Sequence, residues 1–200
     1  MNPIENYGSL MWTIRYRFDV IETLRQSNAE PFSRAESAAF HGRKIVEAIA
    51  FACLVAIENG LKNVPRDARG QWNAETIFKS LKSKKLIVLP SPSNIREATP
   101  EEKSTSDVSM TIEGIPERRL THDELIEIYQ RFHRWLHEVN PYTYQGHSEF
   151  YTQRSATLWK DLERLHLFVE RHFIGIQGAG FFCVLRDSSD QQTKILPLAR

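Results

Sequence analysis

Ten apolar residues in a row, Ala48 to Ile57 (AIAFACLVAI), constrain this chain more than any other feature. A helix through them is hydrophobic on every side and has to be wrapped by other elements. The run is too short to cross a bilayer, which takes about 20 residues, so it predicts the core helix of a globular fold. Upstream, Ser33 and Glu36 have the S-x-x-E spacing of a capping box, in which each side chain satisfies an orphan backbone N–H of the other residue. Asn59-Gly60 supplies a stop. The expected core helix therefore runs from Ser33 to Gly60, with a polar first half, Arg34, His41 and Arg43, where a cleft is expected to open.

Around it the apolar spacing predicts further helices. Met11, Ile14, Phe18, Ile21 and Leu24 recur at steps of three and four, giving a first helix from Leu10 to about Ser27 that Pro31 is expected to terminate. A short helix follows Asn73, with Ile77, Phe78 and Leu81 inward. Thr121 and Glu124 form a second capping box ahead of Leu125, Ile128, Tyr129, Phe132, Trp135, Leu136 and Val139, a helix ended by Asn140-Pro141. The last helix spans about Ser148 to His172, and Gly175, Gly178 and Gly180 break its pattern. FFCVLR at 181–186 and TKILPL at 193–198 are β-type runs across a polar turn. Residues 86–120 hold Pro90 and Pro92, a short apolar run at Leu86–Leu89 and a weak alternation at Val108, Met110 and Ile112. They read as a long, largely irregular insert.

The predicted fold is thus mainly α: an antiparallel four-helix-type bundle with a short extra helix and a small C-terminal β-hairpin at 181–198, all in one domain over residues 1–200. With 41% apolar and 26% charged residues the composition is that of a soluble globular chain. A net charge of +1 gives no general attraction to nucleic acid or anionic lipid. No membrane or DNA partner is expected, and RNA would have to be met by a local patch. Cys53 and Cys183 lie in apolar runs, two thiols too few for a disulfide framework. The N-terminus lacks a basic stretch followed by an apolar one, and a cytoplasmic location is expected.

Six of the seven histidines fall in the second half of the chain. His133 and His137 stand one helical turn apart, a spacing usable by a metal. There is no glutamate directly after His133 as in H-E-x-x-H and no cysteine nearby, so neither a metal nor a cofactor is assigned. His41 lies on the core side of its helix, next to Gly42, and Arg34 stands two turns earlier on the same face.

Arg131 and His137, in RFHRWLH on a bundle helix, match the R-x(4–6)-H pattern and resemble the HEPN superfamily, helical bundles named for nucleotide binding in higher eukaryotes and prokaryotes. Phe132 departs from the polar residue that usually follows the arginine in active members. The resemblance implies a metal-independent endoribonuclease of a toxin or defence system acting as a homodimer. Arg131 would meet phosphate charge and His137 would transfer the proton. Those roles suit the side chains, since a cation stabilises a phosphorane and an imidazole titrates near neutrality. His133, Arg34 and His41 are secondary candidates. The alternative reading is a non-catalytic binding or homo-oligomeric assembly module that uses the aromatic residues Trp12, Tyr16, Tyr151 and Trp159.

Overall fold

The computed structural model describes residues 2–61, 63–86, 88–105, 108–137, 142 and 147–199, apart from the side chains of 147–150, 152, 153 and 199. Most of these residues are helical, and the described strands form one antiparallel sheet. In chain order the elements are α1 (Pro3–Gln26), α2 (Pro31–Leu61), α3 (Arg66–Arg69), α4 (Ala74–Ser83), β1 (Ser91–Glu97), α5 (Pro100–Thr105), β2 (Met110–Gly114), α6 (His122–Trp135), α7 (His147–Val169), β3 (Arg171–Ile176), β4 (Ala179–Val184) and β5 (Lys194–Ala199). No described helix is long and apolar enough to cross a membrane.

The apolar run of α2 is the packing centre: Ile45 to Ile57 is buried except for Phe51 and Val55, which are partly buried. Tyr7, Met11, Ile14 and Ile21 of α1 cover one side, and Leu125, Ile128, Phe132, Leu158, Leu162 and Leu165 of α6 and α7 join the same core. At Gly42 a Cβ would stand 2.8 Å from both the Phe132 ring and Leu162 Cδ2. The missing side chain lets α6 and α7 converge on α2 at one point.

The ends of α2 differ from expectation. Pro31 does not stop a helix but begins this one, where its missing N–H costs nothing. The capping carboxylate is Glu30, which accepts from the Ser33 amide at 3.0 Å, so the Ser33–Glu36 box is not the one used. Gly60 lies inside the helix. A Cβ there would come within 2.7 Å of the Ile176 carbonyl oxygen, so its role is the close approach of α2 to β3. The second box is formed as read, with Thr121 and Glu124 capping each other's amides. Val139 and Asn140-Pro141 lie outside the described residues.

The sheet, ordered β2-β1-β3-β4-β5, is larger than a two-strand element. The last helix ends at Val169, and His172 belongs to β3. β3 and β4 are joined by Gln177-Gly178, both at positive φ (51° and 84°), the two-residue turn whose twist matches the flanking strands. β4 pairs in turn with β5. Residues 86–120 are not irregular throughout: β1 and β2 pair over five residues, and Ser91 and Pro92 join them to β3. Pro92 is tolerated because it stands at the start of its strand.

Candidate functional site

α2 and α6 run past each other so that Glu47 faces Tyr129 and the Phe40 level faces Leu136. Glu47 is the one acidic side chain in the buried half of α2. Burying a carboxylate requires partners, and it has three: Arg43 Nε at 3.2 Å, Lys44 Nζ at 2.7 Å and the Tyr129 hydroxyl at 3.3 Å. Arg43 also lies over the Tyr129 ring, 5.3 Å from its centre. Its η nitrogens make no hydrogen bond among the described residues. Two cations against one carboxylate leave this part of the seam positive.

One turn along, His133 stacks parallel to Tyr129 and its Nε2 lies 2.9 Å from Nε2 of His137. Only one of two facing nitrogens can donate, so one ring donates this bond and the other accepts it. Burial lowers the pKa of His133, and Arg43 and His137 add to the effect against Glu75. His133 Nδ1 is buried without a partner among the described residues. Burial also raises the pKa of Tyr129. These two histidines have no third His, Cys, Asp or Glu placed with them as a metal set among the described residues.

His41 lies further along the same seam. With Glu36, Ser37, Phe40 and Leu136 it lines a recess of about 340 Å³, and its Nδ1 is 3.3 Å from Arg17 Nη1. Burial, then the Arg17 charge, lowers its pKa.

Arg131 points elsewhere. His137 lies two residues beyond the end of α6 at Trp135, whereas Arg131 sits within the helix and is directed towards α7. There it makes a two-pronged ion pair with Asp161, Nε to Oδ2 at 2.6 Å and Nη2 to Oδ1 at 2.9 Å. Asp161 is only 3% exposed. No hydrogen bond joins Arg131 to His137 among the described residues. Arg34 is likewise occupied, its Nη1 donating to the Arg25 and Ser27 carbonyls at 3.2 Å each, where α1 ends.

The seam thus brings together His133 and His137, leaves His41 in a recess of its own with Leu136 and Arg17, and leaves Arg131 and Arg34 outside. No family model, curated protein or solved structure matches this chain. Glu47 and Asp161 were missed in the sequence, yet each left a signal. Glu47 interrupts an apolar run with Arg43 and Lys44 one turn before it, and Asp161 sits on the stripe of Leu158, Leu162 and Leu165.

Proposed function

We propose that the α2–α6 seam is an RNA-directed site and that the chain is a metal-independent endoribonuclease on a HEPN-like helical bundle, with Arg43 in place of Arg131 as the cation beside the histidines. The observation that carries this reading is the His133–His137 contact beside Arg43, whose η nitrogens have no hydrogen-bond partner among the described residues. Cleavage of RNA through its 2′-hydroxyl needs one group to take the hydroxyl proton, one to return a proton to the leaving oxygen, and a cation on the phosphorane. Two imidazoles, one donating and one accepting, suit the first two, and Arg43 with Lys44 the third. Arg131 then belongs to the scaffold, holding α6 on α7 through Asp161. The four long helices α1, α2, α6 and α7 suit the bundle that such a reading requires, and an RNA substrate suits a cytoplasmic protein.

The test is incubation of the purified chain with single-stranded RNA in a chelator. Cleavage leaving 2′,3′-cyclic phosphate ends is expected, reduced about 10²-fold or more in His133→Ala and His137→Ala, the scale of lost acid–base catalysis. Intact RNA with the wild type, or cleavage that survives His137→Ala, refutes the reading.

A homodimeric assembly module is the second reading, favoured by Trp12 and Tyr16. They stack in parallel at 5.8 Å on α1 and are 52% and 54% exposed. Tyr151 and Trp159 lend it less, since the first packs on Phe32 and Trp135 and the second lies under Arg25. A dimer in sedimentation that Trp12→Ala dissociates supports it; a monomer at every concentration removes it.

A further inference from the structure

A second cavity, of about 600 Å³, opens where the end of α4, the chain before β1 and the start of α6 meet. Its floor is Leu89, Pro90 and Leu120, and its rim carries Lys82, Lys85, Arg119 and Asp123. Lys82 and Asp123 cancel, the ammonium lying 2.7 and 2.6 Å from the two carboxylate oxygens. Arg119 and Lys85 have no ion-pair partner among the described residues, in contrast to their neighbours. Arg118 is held by Glu170 and Lys84 by Asp67.

Two further observations set this cavity apart. His122 lines it, is 7% exposed, and has an Nε2 without a hydrogen-bond partner among the described residues. The imidazole borders the cavity while its Nε2 has almost no accessible surface, so His122 is a buried reporter of the cavity wall and not a contact for the ligand. Lys85 is the residue that closes α4: its amide bonds to the Lys82 carbonyl and that of Leu86 to Leu81, with Lys85 at φ 56°. Glycine is favoured at this left-handed position, so the lysine is held there against a backbone preference, with its side chain on the cavity rim.

We propose that this cavity binds a small organic anion with an apolar body, a carboxylate or a phosphate monoester. The charged group meets Arg119, whose fork of donors matches either anion, and Lys85. The apolar part lies on Leu89, Pro90 and Leu120. The site is separate from the α2–α6 seam and does not rest on the reading given to that seam.

The experiment is NMR titration of the full chain with hexanoate, phenyl phosphate, inorganic phosphate and uncharged hexanol, following the His122 imidazole signal. Hexanoate or phenyl phosphate should move that signal and saturate, and whichever binds more tightly identifies the anion type. Inorganic phosphate should bind at least about tenfold more weakly and hexanol not at all, because charge and apolar area are both required. Arg119→Ala, at an exposed position, should weaken binding about tenfold or more. Lys85→Gly should raise Tm while weakening the same ligand, a split that a purely structural lysine would not give. An unmoved His122 signal with both organic anions, or binding unchanged in Arg119→Ala, overturns the proposal.

Discussion

The hydroxyl of Tyr7 donates to Nε2 of His172, and both side chains are fully buried. The other ring nitrogen, Nδ1, donates to the Val169 carbonyl at 2.9 Å, which fixes the neutral tautomer and leaves Nε2 as acceptor. The bond ties the first helix to the strand that follows the last one.

Burial pushes the pKa of His172 down to about 4 from an ordinary 6.5, against a small opposing effect of the Val169 carbonyl. Between these values the unfolded chain binds a proton that the folded one does not. Stability therefore falls as pH drops from 6.5 to 4, by about 3 kcal/mol in all. Urea midpoints across this window should slope less in His172→Gln. Equal slopes would mean that another group governs acid unfolding.

Arg131→Ala strands the Asp161 carboxylate in a buried position. A loss of about 2–4 kcal/mol is expected, below the range for fully buried pairs because Arg131 is partly exposed. Asp161→Ala should cost less, because it leaves a partly exposed arginine that still faces Glu127, and the double variant no more than Arg131→Ala. Additive losses in the thermal unfolding cycle would show that the pair is not coupled.

How much of this was legible in the sequence depended on whether local pattern or distant contact decided the outcome. The core of α2 followed from ten apolar residues, and the start of α6 from Thr121 and Glu124. Gly60 misled because the local preference for glycine as a helix stop was overridden by Ile176, more than a hundred residues away. β1 was obscured because Pro92 and a polar strand, SPSNIRE, carry no clean alternation. At the seam the contact of His133 with His137 agrees with their one-turn spacing, although α6 ends at Trp135, short of His137. The partner of Arg131 was not, because an ion pair between two helices has no fixed offset in the chain.

Gly42→Ala should be harmful although alanine is the better helix former. The added methyl would meet the Phe132 ring and Leu162 below van der Waals distance, and overpacking of this kind costs about 1–3 kcal/mol. Chemical denaturation reads the difference, and an unchanged or higher midpoint would show that α6 and α7 can move apart.

Cys53 and Cys183 are buried, and burial raises both thiol pKa values well out of the reactive range. Neither should react with a thiol reagent in the native protein, and both should react at once in denaturant. Fast modification of either in native buffer would contradict the described packing.

Glu47 has a consequence for the order of folding. Two of its three partners, Arg43 and Lys44, lie on its own helix, within one turn. A nascent α2 therefore neutralises this carboxylate before any other helix has docked, and no distant ion pair has to be found first. Mutations in the apolar run of α2 should slow refolding, whereas Tyr129→Phe should mainly speed unfolding. A helix that carries its own counter-ions into the interior is suited to act as the nucleus on which the others assemble.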